Sequence, residues 1–167
     1  MDPLNMRIGH GYDVHRFAEQ FDEGQPLILA GVKLQERLSL LAHSDGDLVL
    51  HAICDALLGA MGKGDIGQHF PDTDAEFAGI SSGKLLAKVI DLATSSNMRV
   101  VNLDVTVIAQ LPKLSPHRSA MVKSIAALLH IDEGRVNLKA TTTEGLGPFG
   151  RKEGMACHAV ILLAGND

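Results

Sequence analysis

Residues 6–16, MRIGHGYDVHR, constrain this chain more than any other stretch. The run reads as a strand, and side chains two apart on a strand point to the same face, so Asp13 and His15 project side by side. A carboxylate oxygen and an imidazole nitrogen so placed can grip one divalent cation from a single strand. A catalytic zinc, however, takes three protein groups and keeps a fourth position open. The fold therefore has to bring another donor against this strand.

The helix expected over 47–61 is the place to look. The cluster His43-Ser44-Asp45-Gly46-Asp47 can cap it, and Leu48, Ala52, Ile53, Ala56, Leu57 and Met61 fall at apolar-face spacing. Asp47, His51 and Asp55 stand at i, i+4 and i+8, one polar stripe in an otherwise apolar segment. His51 is the candidate third ligand, with a neighbouring Asp fixing its tautomer. The same stripe also reads as a solvated helix face with ordinary Asp–His contacts. Spacing alone leaves both open, and the Asp13–His15 pair favours the ligand. His43 precedes the helix N-terminus, where backbone N–H groups and the dipole favour an anion. His10, alone between glycines, reads as a satisfied core histidine; His69, His117, His130 and His158 show no partner pattern.

The remaining segments set the fold class. Residues 26–34 read as a second strand, joined to the first as a hairpin. Gly62 to Gly67 end the helix, and 71–74 form turn and loop. A helix over 82–95 carries Leu85, Leu86, Val89, Ile90, Leu92 and Ala93 on its apolar side. A strand over 100–109 follows, then a helix from 115–116 with Pro116 at its first position, then strands over 135–141 and 155–163. A hairpin followed by alternating helices and strands predicts an α+β two-layer sandwich with a mixed sheet covered by helices. The chain of 167 residues fits one domain with a sizeable core.

Composition removes several functions. No apolar run approaches the roughly 20 residues of a membrane helix. The N-terminus lacks the profile of a signal or transit peptide. A formal net charge of −5 disfavours nucleic acid and anionic membranes as partners. Cys54 and Cys157 are too few and scattered for a disulfide framework, which suits a reducing cytoplasm. An anionic substrate would need its positive field from a metal or local groups.

Such a substrate has a second candidate contact. Thr141, Thr142 and Thr143 stand at a strand end before Glu144, Gly145 and Gly147, an arrangement suited to phosphate oxygens and a hard cation. A Thr run is also ordinary strand material. Residues 109–114 leave a strand through a Pro turn that is bland in isolation.

Taken together, residues 7–15, 41–47 with His51, 64–67 with 70–74, 109–113, and 139–144 with Gly150 and Arg151 resemble one family in its own order: the 2-C-methyl-D-erythritol 2,4-cyclodiphosphate synthases of non-mevalonate isoprenoid synthesis. The resemblance implies a homotrimeric, phosphorus–oxygen lyase type of enzyme with active sites between neighbouring subunits. It implies conversion of 4-diphosphocytidyl-2-C-methyl-D-erythritol 2-phosphate to the 2,4-cyclodiphosphate with release of CMP. Asp13, His15 and His51 match the ligands of a Zn²⁺ ion, and Glu144 the ligand of a Mg²⁺ or Mn²⁺ between the substrate phosphates. His43 and Thr142 match groups that stabilise the transition state. Asp65 and Gly67 match contacts to ribose or polyol, and Ser44 with Asp72 contacts to the methylerythritol part. Ala109, Gln110, Leu111, Pro112, Lys113, Leu114 and Ser115 match a cytidine pocket read through backbone groups. The implied substrate-contacting set also takes in Val14, Ile66, Phe70, Pro71, Thr73, Asp74, Thr141, Thr143, Pro148 and Arg151.

Two departures from the family pattern, Pro148-Phe149 for a more usual Phe-Thr and His158 where Glu is common, bear on the cavity along the trimer axis, where the resemblance places an isoprenoid diphosphate. Two other functions share these residues. One is a zinc phosphohydrolase that attacks with water, and the other is a non-catalytic trimeric binding protein for isoprenoid or nucleotide ligands.

Overall fold

The computed structural model describes residues 5–71 and 80–165. In chain order the elements are β1 (Met6–Arg16), β2 (Ile28–Leu29), β3 (Val32–Lys33), α1 (Leu48–Met61), α2 (Ile66–His69), α3 (Ser82–Ser95), β4 (Met98–Ile108), α4 (Arg118–Leu129), a 3-10 turn (Glu133–Arg135), β5 (Val136–Thr141), α5 (Gly147–Gly150) and β6 (Gly154–Gly165). The main sheet has the order β1-β6-β4-β5. Its first two pairings are antiparallel and β4–β5 is parallel. The expected α+β architecture with a mixed sheet is present.

Helices cover one sheet face. α1 packs on β1 and β6, α3 on α1 and β4, and α4 on β5. Leu103, Val105 and Val107 of β4 and Ile161 and Leu163 of β6 turn into this layer and are buried with Ile53 and Leu57 of α1. The opposite face is open. Tyr12 and Val14 of β1 and Val160 of β6 are exposed there, and Ile8 is 74 % exposed. Among the described residues no helix is long and apolar enough to cross a membrane.

Two glycines decide how close α1 comes to β1. A Cβ on Gly9 would lie 1.8 Å from the Ala56 carbonyl oxygen, and one on Gly11 would lie 1.9 Å from that of Ala52. Helix backbone rests directly on strand backbone, a spacing open only to residues without a side chain. α1 is buried along most of its circumference, the exceptions including His51 and Asp55.

Two expected elements differ. Residues 26–34 do not pair with β1, whose partner is β6; they fold back as the dipeptide strands β2 and β3, paired only with each other. Ala30 and Gly31 at the bend have φ of 55° and 74°. The Asp47 carboxylate accepts both their N–H groups, at 2.8 and 2.6 Å, so this segment is a turn held by the start of α1. The fourth helix begins at Arg118 rather than at Pro116, because residues 114–117 close a turn through His117 N–H to Leu114 O at 2.9 Å.

Candidate metal centre

Asp13 and His15 point from β1 toward the helical layer, as the two-residue period requires. Gly9 and Gly11 set α1 against the same strand, and His51 therefore reaches both. Asp13 Oδ2 lies 3.1 Å from His15 Nε2 and 3.0 Å from His51 Nδ1, and the two nitrogens are 3.4 Å apart. A tetrahedral ion with bonds of about 2.0–2.2 Å separates its ligand atoms by about 3.3–3.5 Å. The three atoms thus already form one face of such a tetrahedron and need to open by only a few tenths of an ångström. Among the described residues this is the one cluster of three or more His, Cys, Asp or Glu side chains able to hold a metal.

The electrostatics suit a cation. Burial pushes the Asp13 carboxyl up, but hydrogen bonds and charge from His15 and His51 outweigh it and hold the group well below the usual carboxylate range. For His51, burial disfavours the charged ring, yet the Asp13 hydrogen bond and the charges of Asp13, Asp47 and Asp45 win and raise its pKa. A site that favours a proton on His51 favours positive charge there in general.

The polar stripe on α1 is divided among three tasks. His51 is the donor to the cluster. Asp47, fully buried, caps α1 by accepting Leu50 N–H at 3.1 Å while holding the Ala30–Gly31 turn. It thereby places a carboxylate of the chain itself at the helix N-terminus. Asp55 accepts Ile66 N–H at 2.8 Å and anchors α2. Neither Asp is the partner of His51 Nδ1; that partner is Asp13, from another element.

His51 Nε2 faces away from the cluster, 2.8 Å from Ser82 Oγ and 3.3 Å from Ser44 Oγ. Ser82 opens α3, is fully buried, and donates both its hydroxyl and its N–H (2.9 Å) to Asp45. No sequence signal singled out Ser82 or Asp45. One opens a helix and the other sits in a capping cluster, and only the tertiary fold joins them to His51.

The other expected residues fall into separate groups. His43 is exposed beside Ser44. Asp65 caps α2, accepting Gln68 N–H at 3.0 Å, with Ile66, Gly67, Phe70 and Pro71 following it. Asp72, Thr73 and Asp74 lie outside the described residues. Because β4 and β5 are parallel, residues 109–115 and 141–144 leave the sheet at the same end, and Ala109 N–H donates to Thr141 O at 3.0 Å. Gln110 Oε1 is buried there without a hydrogen-bond partner. The Thr142 hydroxyl donates to Glu144 Oε1 at 3.1 Å, and both residues are exposed on a turn where Glu144 and Gly145 have φ of 54° and 78°. Arg151 pairs with Glu153 at 2.7 Å, just after Pro148 in α5. Glu144 is not part of the Asp13–His15–His51 cluster. β1 and β5 are the two edges of the sheet, three strand spacings or roughly 14 Å apart.

His10 corrects its expectation. It is exposed on the open sheet face rather than in the core, with Nε2 3.0 Å from His158 Nδ1. The glycines on either side of it face α1, so by the two-residue period His10 cannot.

The YgbB family model matches residues 6–164. The chain belongs to the YgbB family. It is 57 % identical over 158 residues to the 2-C-methyl-D-erythritol 2,4-cyclodiphosphate synthase of Azotobacter vinelandii, covering 95 % of this chain and 98 % of that one. It is 54 % identical over 160 residues to that of Pseudoalteromonas atlantica, covering 96 % of each. Among solved structures, the CDP complex of IspF from Plasmodium falciparum superposes with a TM-score of 0.85 at 38 % identity, covering 99 % of this chain and all of that one. The architecture is thus that of a relative whose structure is a CDP complex.

Proposed function

We propose that this chain is a single-domain 2-C-methyl-D-erythritol 2,4-cyclodiphosphate synthase that closes 4-diphosphocytidyl-2-C-methyl-D-erythritol 2-phosphate into the cyclic diphosphate. The observation that carries it is the Asp13–His15–His51 triangle, with edges of 3.0–3.4 Å, in a chain of this family. In the reaction an oxygen of the substrate's 2-phosphate forms a bond to the β-phosphorus. The bond from that phosphorus to the CMP oxygen breaks, and CMP leaves with the electron pair. Both partners are anionic, so bringing them together is the main barrier. Zn²⁺ on Asp13, His15 and His51, and Mg²⁺ or Mn²⁺ on Glu144, would supply the positive charge that a chain of net charge −5 lacks.

The chain's own groups do the rest. His43 and the Thr142 hydroxyl donate to phosphate oxygens as charge shifts between them. Residues 109–115 take the cytosine through backbone groups, and Ser44, Asp65 and Gly67 hold the polyol and ribose. No protein nucleophile is required.

The site needs two copies of the chain. One diphosphate spans a few ångströms, whereas the metal cluster on the β1 side and the Thr142–Glu144 turn after β5 belong to opposite sheet edges of one copy. A head-to-tail assembly that sets one copy's β5 end against the next copy's β1 side completes the site, and a closed ring of three is the assembly that the resemblance implies. An isoprenoid diphosphate along the axis belongs to the same reading, and the open sheet face with Ile8, Tyr12, Val160 and the His10–His158 pair would line its cavity. Buried, unpaired Cys54 and Cys157 suit a cytoplasmic enzyme.

Product analysis with the diphosphocytidyl substrate, Zn²⁺ and Mg²⁺ tests the proposal. Cyclic diphosphate with stoichiometric CMP supports it. A linear phosphate instead means a hydrolase, and absence of CMP means a binding protein.

A further inference from the structure

The side of His51 away from the cluster carries a second construction. His51 has one ring nitrogen, Nδ1, within 3.0 Å of Asp13 Oδ2 and 3.4 Å of His15 Nε2. Its other nitrogen, Nε2, meets the Ser82 hydroxyl at 2.8 Å, and Ser82 in turn hydrogen bonds to Asp45 through both its hydroxyl and its N–H. A hydroxyl can accept one bond and donate another, and a carboxylate only accepts. The polarity of the chain is therefore fixed from its far end: Asp45 accepts from Ser82, which leaves Ser82 Oγ to accept from His51 Nε2–H. A neutral imidazole protonated at Nε2 has its lone pair on Nδ1, the atom aimed at Asp13 and His15.

We propose that Ser82 and Asp45 are positioning residues that lock His51 in the Nε2–H tautomer and present Nδ1 to the metal. The proposal rests on Asp13, His15 and His51 being a zinc site. Ser82 is suited to the task by its place as well as its chemistry. It is completely buried at the first turn of α3, where its own N–H would otherwise lack a partner, and Asp45 satisfies that N–H and the hydroxyl together. Ser44 Oγ, 3.3 Å from Nε2, is a weaker alternative acceptor that also accepts from Gly46 N–H. Outer partners of this kind hold ring orientation and tautomer, and their loss typically costs roughly 10- to 100-fold in metal affinity.

The test uses the full chain with zinc alone and needs no turnover. Ser82→Ala deletes the acceptor for Nε2–H while leaving the Ser82 N–H to Asp45 bond in place. Chelator competition should show zinc bound roughly 10- to 100-fold more weakly than by wild type. Asp45→Asn, which keeps one carbonyl oxygen, should lose affinity in the same direction by a smaller factor. In zinc-loaded protein labelled with ¹⁵N-histidine, His51 should carry metal on Nδ1 and a slowly exchanging proton on Nε2, and that exchange should quicken in Ser82→Ala. A helix-anchoring role alone would leave the ring proton unchanged. The relay is overturned if either variant holds zinc within twofold of wild type, or if the wild-type ring is metallated at Nε2. Wild-type protein that binds no zinc overturns the metal site itself, and this proposal with it.

Discussion

Gly11 sits against the carbonyl oxygen of Ala52 so closely that a Cβ would lie 1.9 Å from that oxygen. Ala52 is the residue after His51 and Gly11 stands two before Asp13, so the contact that joins α1 to β1 also sets the reach of the metal cluster. Gly11→Ala has to push helix backbone away from strand backbone. Overpacking of this kind costs about 1–3 kcal/mol or more, and it falls on the one spacing that holds Nδ1 near Asp13. The variant should melt lower in thermal denaturation and bind zinc less than stoichiometrically. A variant of wild-type stability with full zinc would show that α1 is not held by this contact.

His51→Ala removes one of three proposed ligands, so zinc content and CMP release should fall together. The same residue sets the pH dependence. Metal binding requires the ring nitrogen free of its proton, and Asp13 together with the other carboxylates, outweighing burial, raises the His51 pKa above its ordinary value of 6.5. Zinc affinity should therefore begin to fall while the pH is still above 6.5 and then drop by about tenfold per pH unit for this proton. Asp13, held well below the carboxylate range, stays ionised throughout that window. Chelator competition between pH 8 and pH 5 measures the profile, and an affinity flat through pH 6 would exclude His51 as a ligand.

Asp47 takes three backbone N–H groups, from Ala30, Gly31 and Leu50, with a side chain wholly out of solvent. Asp47→Ala strands all three and removes the α1 cap. Ala30 and Leu50 are buried, and each buried group left unsatisfied costs about 1–3 kcal/mol, so a total loss of about 2 kcal/mol or more is expected in urea denaturation. A loss below about 1 kcal/mol, the usual worth of a cap alone, would mean that the 28–33 turn rearranges and finds other partners.

How much of this was legible in the chain depends on whether the signal was local. Asp13 and His15 follow from a two-residue period, and the 47–61 helix from its capping cluster and apolar spacing, so both elements that carry the candidate cluster can be read directly. The stripe Asp47–His51–Asp55 is visible in the sequence, but its meaning is not. Whether a helix carboxylate holds a turn, a neighbouring helix or a histidine depends on what packs against it. Residues 26–34 look like a strand because Leu27, Ile28, Leu29 and Val32 are β-prone, while the bend is decided at a distance by Asp47. Ser82 and Asp45 are separated by 37 positions, and nothing local marks either for His51. His10 reads as a core histidine because a lone histidine on a strand usually is one, whereas the glycines beside it make room for α1 and leave His10 on the other face.

The last prediction concerns the division of the site between copies. The metal cluster lies on the β1 side of the sheet and Thr142 beyond the end of β5, at the opposite edge. If neighbouring copies share each site, His51→Ala and Thr142→Ala damage different halves of it. A trimer holding both variants then contains a site built from the intact metal half of a Thr142→Ala chain and the intact phosphate half of a His51→Ala chain. Random assortment of equal amounts leaves about a quarter of all sites with both halves intact. Each variant alone should be inactive, and the pair unfolded and refolded together should recover up to about a quarter of wild-type CMP release. Size-exclusion chromatography and mass spectrometry of differentially tagged chains establish that mixed trimers have formed. Mixed trimers as inactive as either parent would mean that each chain holds a complete site, and that the roughly 14 Å between sheet edges is bridged within one copy.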